Sequence, residues 1–397
     1  MLKNFFILII VLTVSCGRAQ TGVINTSTVR ITTGAERMDA YIGMLKGKRI
    51  GVVANQSSLV GRVHLVDTLL ESGINLVKVF SPEHGFRGDA EAGALINNDT
   101  DERTGLPVVS LYGARKKPVP ADIEDLDMIL FDLQDVGARF YTYISTLTYV
   151  MEACAEQGKQ LLVLDRPNPN GYYIDGPVLE KEFTSFVGMH PVPVVHGMTM
   201  AEYARMVNGE KWLAGAVMCD LQWVTCDGYT HSSRYTLPVR PSPNLPDSVA
   251  VALYPSLCFF EGTVVSVGRG TNKPFKVIGH PDFLAGDYSF TPKSIKGVSE
   301  NPPQKDKVCY GFDLSSAAPD ISDNGGLRLE YLILMYNALN EKTTFFNSFF
   351  EKLAGTATLR KQIIEGKKSE EIYASWKPGL DAFREVRARY LLYPDFE

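Results

Sequence analysis

Apolar residues in this chain fall into short unbroken runs, each followed by a polar cluster, the pattern of strands buried on both faces of a sheet. The first run, residues 49–54, ends in Asn55-Gln56-Ser57-Ser58. Residues 59–71 then show helical spacing and close at Ser72-Gly73. A second run at 74–80 is stopped by Pro82, since proline cannot donate to a sheet ladder. This β-α-β opening implies a parallel pair joined by a right-handed crossover. Further runs at 107–112, 127–131 and 160–164 predict a third, fourth and fifth strand, and 216–221 a sixth. Helices are predicted over 38–45 and over 140–156, the latter ending at Gly158, and Thr199 caps one that reaches about Asn208.

The pattern changes at 237–246, where four prolines in ten residues exclude a helix or a central strand. Residues 24–240 therefore read as an α/β domain with a Rossmann-like, doubly wound parallel sheet. Residues 247–397 read as a smaller α+β domain. It holds a helix at 249–260, short strands near Val264 and Val308, and a helix-rich tail from Leu327.

The N-terminus stands apart. Lys3 precedes an apolar run at 5–14, of signal-peptide length and too short for a mature transmembrane helix. Small residues follow, so residues 1–19 read as an export signal and the protein as exported, to the periplasm. Two processing readings compete: a lipobox-like Ser15-Cys16 that would leave Cys16 lipidated, or ordinary cleavage at Gly17-Arg18-Ala19. Any membrane association would then run through that anchor alone. The five later cysteines are scattered and form no C-x-x-C pair, which favours buried free thiols, with Cys219–Cys226 as the one candidate bridge.

A formal net charge of −5 without a block of Lys or Arg argues against nucleic acid as a partner. No G-x-G-x-x-G follows the first strand and no Walker-type lysine is present, so a nucleotide cofactor is not expected. The commonest serine-hydrolase and zinc signatures are also missing, and no cofactor or metal is expected.

What remains is a set of polar clusters at predicted strand ends: Asn55; Glu83 and His84; Asp132, Asp135 and Arg139; Asp165, Arg166 and Asn168. In a doubly wound sheet such ends converge on one edge, where ligands bind. The plainer reading is that Asp132 and Asp165 cap the segments after them and Arg139 pairs with Asp135. His196 precedes a helix, a position more often capping or core than chemical. In the C-terminal part, Glu261 sits beside a glycine, and Gly268 and Gly270 flank Arg269, an arrangement that serves either an anion or a tight turn. A polar stretch at 87–106 has the length of loops that cover sites. Two carboxylates across a cleft are the equipment of glycoside hydrolysis, one giving a proton to the leaving oxygen and the other serving the anomeric centre. Tyr141, Tyr143 and Phe275 suit either a sugar face or a core.

Four motifs in order, Ser-Pro-Glu-His-Gly at 81–85, Asp-x-Gln-Asp-x-Gly-x-Arg at 132–139, Asp-Arg-Pro-Asn-Pro at 165–169 and Glu-Gly-Thr…Gly-Arg-Gly-Thr at 261–271, resemble the exo-acting β-N-acetylmuramidases of the NamZ type, formerly a bacterial domain-of-unknown-function family. The resemblance spans nearly all of the chain after the leader. It implies a Rossmann-like domain without nucleotide, a smaller C-terminal domain, and a cleft site that releases N-acetylmuramic acid from the non-reducing end of peptidoglycan fragments. It carries Glu83 over as general acid and Glu261 as the second catalytic candidate. Asn55, His84, Asp132, Asp135, Arg139, Asp165, Arg166, Asn168, His196 and Arg269 stand as candidate contacts to a MurNAc-GlcNAc-type saccharide. The lactyl carboxylate is a natural partner for Arg269, Arg166 or Arg139. Two alternatives stay open: a metal-dependent ester or phosphoester hydrolase using Asp132, Asp135, Asp165 and His84, and a non-catalytic cell-wall-binding lipoprotein.

Overall fold

The computed structural model describes residues 30–87, 99–340 and 342–396. The export signal, Cys16 and most of the polar stretch after Arg87 lie outside the described residues.

Residues 31–397 cluster as one compact unit. Its first elements are α1 (Met38–Leu45), β1 (Ile50–Ala54), a hairpin of β2 (Leu59–Val60) and β3 (Val63–His64), α2 (Leu65–Glu71) and β4 (Leu76–Ser81). There follow β5 (Asp99–Thr100), β6 (Pro107–Ser110), the short α3 (Pro120–Ile123), β7 (Met128–Asp132), α4 (Tyr143–Glu156) and β8 (Gln160–Leu164). Then come α5 (Met200–Gly209), β9 (Asp220–Val224) and α6 (Ser248–Leu257). The sheet runs β5-β6-β4-β1-β7-β8-β9. All its pairs are parallel except β5 with β6 at the edge. Leaving out that edge strand, the spatial order by chain position is 3-2-1-4-5-6, the Rossmann order, with its switch point between β1 and β7.

The apolar runs are continuous because both faces are covered. Val52, Leu130 and Leu162 pack toward α1 and α2, while their neighbours Val53, Phe131 and Val163 pack toward α4 and α5. The second of these cores continues without a break into Phe259, Phe260, Phe345 and Phe350 of the C-terminal part. That part carries a three-stranded antiparallel sheet, β10 (Val277–His280), β12 (Cys309–Asp313) and β11 (Tyr288–Phe290) in that order. Its helices are α7 (Ala318–Asn324), α8 (Glu330–Ala338), α9 (Phe350–Ala354), α10 (Thr358–Ile364) and α11 (Ser369–Ala388).

Several elements differ from the sequence reading. Residues 59–71 are not one helix: Gly61, at φ 62°, turns the β2–β3 hairpin, and only 65–71 are helical. The sixth strand starts at Asp220, after a 3₁₀ turn at Ala214–Ala216. The segment near Val264 makes isolated bridges, Thr263 to Phe346 and Ser266 to Gly279, in place of a strand. Cys219 and Cys226 are not paired; all five described cysteines are buried free thiols. The cap of α5 is as expected: Thr199 and Glu202 form a reciprocal capping box.

Candidate active site

β4 runs straight into Pro82, and the chain turns sharply there: His84 and Gly85 both take positive φ, 74° and 84°. A histidine in the left-handed region is unusual and strained, and such strain concentrates at functional sites. The turn sets Glu83 and His84 against a cavity of about 660 Å³, within the range of small-ligand sites. Its other walls come from Tyr112 beyond β6, Phe140 to Thr142 before α4, Phe186 in the loop after β8, Glu261 and Arg269, and Phe349, Lys352 and Leu353 at α9.

Glu83 is held by neutral donors. Thr142 Oγ1 donates to its Oε2 at 2.8 Å. The Tyr112 phenol lines the cavity beside the same carboxyl, and burial first and the Glu83 charge second push its pKa above the ordinary value. The Tyr143 hydroxyl reaches the Glu83 carbonyl at 3.4 Å and is itself fixed by Asn55 Nδ2 at 2.7 Å. His84 is buried, and its Nδ1 has no hydrogen-bond partner among the described residues. Burial lowers its pKa, the Glu83 charge opposes that, and Arg269 adds to it, so the ring is neutral at pH 7.

Glu261 lives in the opposite environment. Arg269 Nε bonds its Oε1 at 2.5 Å, and Cys258 Sγ lies 3.6 Å from Oε2. The Arg269 guanidinium also lies over Phe275, 5.0 Å from the ring centre. Burial works against the Arg269 charge, but Glu261 more than offsets it and the pKa ends above the ordinary arginine value. Both side chains keep about a fifth of their surface open, 21% for Glu261 and 22% for Arg269. The glycines beside Arg269 serve the turn: a Cβ on Gly268 would stand 2.6 Å from the Lys273 carbonyl oxygen, and one on Gly270 2.3 Å from that of Lys293.

So the cavity gathers Glu83, His84, Glu261 and Arg269 from the sequence-predicted set. The other candidates are buried and engaged by the protein itself, which corrects the expectation that all strand ends converge on a ligand. Asp132 and Arg166 form a bidentate pair, 2.6 Å and 2.8 Å, across the ends of β7 and β8; Arg166 also reaches the Leu59 carbonyl, beyond β1, at 3.1 Å. Asn55 pins its own loop, accepting from the Ser57 N–H at 2.9 Å. Asp165 accepts from Thr199 Oγ1, Ala201 N and the Tyr393 hydroxyl, and burial raises its pKa to about 6. It therefore does not cap the segment after it, as the plainer reading had it, but serves the start of α5, more than thirty residues on. Asn168 bonds Asn170 N and the Met198 carbonyl. Asp135 does not pair with Arg139: its Oδ2 takes the Gly137 N–H at 2.6 Å, Oδ1 has no partner, and burial raises its pKa to about 7. His196, 4.0 Å from Asp135, is lowered to about 3 by burial, with Arg387 and Arg139 adding to it. Arg139 is fully buried among backbone carbonyls. The four residues of the ester-hydrolase alternative are therefore not brought together, and among the described residues no three His, Cys, Asp or Glu side chains are placed to hold a metal ion.

Of the aromatic residues, Tyr141 and Phe275 line the cavity, while Tyr143 is buried behind it. Sequence reasoning passed over Thr142, Tyr112, Lys116 and Lys352. Only Tyr112 carried the signal used elsewhere, a position just beyond a strand end.

Two family models cover the chain: exo-β-N-acetylmuramidase NamZ, N-terminal, over residues 50–249, and exo-β-N-acetylmuramidase NamZ, C-terminal, over 252–393. The chain belongs to the NamZ family. The peptidoglycan β-N-acetylmuramidase NamZ of Bacillus subtilis (strain 168) is 38% identical to it over 383 residues, 92% of each chain. A DUF1343 family protein of Bacteroides fragilis NCTC 9343, known from a crystal structure, is 48% identical and superimposes with a TM-score of 0.86, covering 92% of this chain and 99% of that one. A second such protein from the same organism is 28% identical with a TM-score of 0.74 and the same coverage. Within NamZ-family boundaries, Glu83 falls in the N-terminal match and Glu261 and Arg269 in the C-terminal match, so the cavity draws on both.

Proposed function

We propose that this chain is an exo-acting glycoside hydrolase that releases N-acetylmuramic acid from the non-reducing end of peptidoglycan fragments. The observation that carries this is a pair of carboxyl groups in one cavity held in opposite ways, Glu83 by the neutral Thr142 hydroxyl and Glu261 by a guanidinium, in a NamZ-family chain. Glu83 gives its proton to the glycosidic oxygen as the bond to the anomeric carbon breaks, and water supplies the hydroxyl that carbon takes up and the proton that restores the acid. Glu261, the anionic member of an ion pair, faces the positive charge that develops on the sugar ring. Arg269 commits Nε to Glu261, and its terminal nitrogens take the lactyl carboxylate that distinguishes muramic acid from glucosamine.

Export fits this reading, since peptidoglycan is met outside the cytoplasm; residues 1–15 or 1–19 absent from the native protein by mass spectrometry would support it, and a full-length cytoplasmic chain would refute it. The deciding assay is turnover of a chromogenic N-acetylmuraminide beside the matching N-acetylglucosaminide. Clear preference for the first is expected; binding without turnover would make the protein a cell-wall-binding module.

A further inference from the structure

Arg139 is a buried cation that no carboxylate among the described residues neutralises, and the reaction just described does not use it. Burial pulls its pKa down to about 9, which leaves it protonated at neutral pH. Its Nη1 donates to the carbonyls of Pro177 and Val192 at 2.7 and 2.8 Å. Its Nη2 donates to those of Leu353 and Ala354 at 2.9 and 2.7 Å. Pro177 and Val192 are the two feet of the loop that brings Ser185, Phe186 and Val187 to the cavity. Leu353 and Ala354 are the last residues of α9, whose Lys352 and Leu353 line the same cavity. Three residues on from Arg139 itself is Thr142, the donor to Glu83.

We infer that Arg139 is a positioning residue for substrate: one guanidinium ties the loop at 177–192 and α9 to the segment that orients Glu83, and so sets the width of the cavity. Four carbonyl oxygens converging on one cation are a stiff arrangement, because each is a charge-assisted bond in a dry site. The unpaired positive charge also suits the C-terminal end of α9, where the helix exposes carbonyls. Gly355 makes room for it: a Cβ there would stand 2.6 Å from Nη2 and 2.9 Å from Cζ. The two segments have a second tie, Glu180 N to the Gly355 carbonyl at 2.8 Å and Thr356 Oγ1 to Glu180 Oε1 at 2.6 Å, so loosening Arg139 shifts the wall without releasing it.

The inference rests on the glycosidase reading for its kinetic arm only. The test uses Arg139→Lys and, from the opposite side, Gly355→Ala, which leaves the arginine in place and crowds it off α9. Hydrogen exchange should quicken in 183–188 and 349–354 together in both variants, a readout independent of any substrate. On a muraminide that wild type turns over, KM should rise roughly tenfold while kcat stays within about threefold, since binding geometry and not proton transfer is disturbed. Leu69→Ala, in the core on the other face of the sheet, serves as the control of lowered stability with unchanged KM. Unchanged exchange in either segment, or a fall in kcat with KM constant, overturns the assignment. Inactive wild type with the paired exchange change intact would fault the glycosidase reading and leave the tether standing.

Discussion

The Thr142 hydroxyl donates to Glu83 Oε2 across 2.8 Å although Thr142 occupies the N-cap of α4, where a threonine ordinarily serves the amides of its own helix. The helix forgoes a cap, worth about 1 kcal/mol, and the carboxyl gains a fixed orientation. In the proposed role, Oε1, the oxygen that Thr142 does not hold, is the one turned to the substrate.

Glu83→Gln keeps size and hydrogen bonding but cannot donate an acidic proton. Turnover of the natural disaccharide should fall by about 10²–10⁴-fold, with a smaller loss on an aryl glycoside whose leaving group needs little protonation. A folded variant with near-normal turnover on the disaccharide would move the acid role to Glu261.

Thr142→Val preserves shape and removes the donor. A neutral hydrogen bond is worth about 0.5–1.5 kcal/mol, so kcat should drop by roughly three- to tenfold, more on poor leaving groups than on aryl ones, and Thr142→Ser should restore it. Equal losses on both substrates would reduce Thr142 to a packing role.

Glu261 and Arg269 should behave as one unit. In a cycle of Glu261→Gln, Arg269→Met and the double variant, measured as kcat/KM on the muraminide, the coupling should be about 1.5–3 kcal/mol. Additive effects would break the unit. Arg269→Ala should also cost the muraminide more than the glucosaminide; equal costs would remove the lactyl contact.

Asp135 predicts a falling limb of stability with pH. Its folded pKa of about 7 lies above the unfolded value near 3.9, so the folded state holds a proton the unfolded chain lacks. That contribution is fully present below about pH 4 and is lost as pH rises through 7, on the order of 3–4 kcal/mol in all. His196, lowered to about 3, and His190, lowered to about 4, act the other way: stability rises with pH up to about 6.5, where their unfolded forms lose the proton. Denaturant titrations of Asp135→Asn between pH 4 and 9 should show the falling limb removed; an unchanged difference from wild type at every pH would mean Asp135 does not titrate there.

The sheet was readable because burial on both faces writes unbroken apolar runs, as in Ile50–Ala54 and Gln160–Leu164. Residues 59–71 misled because Leu59, Val60 and Val63 fall at spacings a helix would also show, and only the positive φ of Gly61 separates the two. A strand end tells which edge a residue occupies but not whether its side chain faces the cavity or the crevice. Glu83 and His84 face the cavity; Asp132 and Arg166 face each other. Arg139 was misassigned because its partners are backbone carbonyls from residues 38 to 215 positions away, and carbonyls leave no trace in sequence. Thr142 and Tyr112 were missed because a neutral hydroxyl looks the same in sequence whether or not it stands beside a carboxyl.

The Asp132–Arg166 pair has a consequence for descent. Removing one member of a buried ion pair leaves a stranded charge and costs about 3–5 kcal/mol, whereas exchanging both for apolar residues is often neutral or better. A lineage that carries this pair beside the switch point has no single-substitution way to be rid of it, since each one-step intermediate gives up a large part of a typical domain's stability. The Rossmann strand order is thus kept here with an ion pair locked at the ends of its central strands, and the loop that carries Glu83, one strand over, is left free of that constraint.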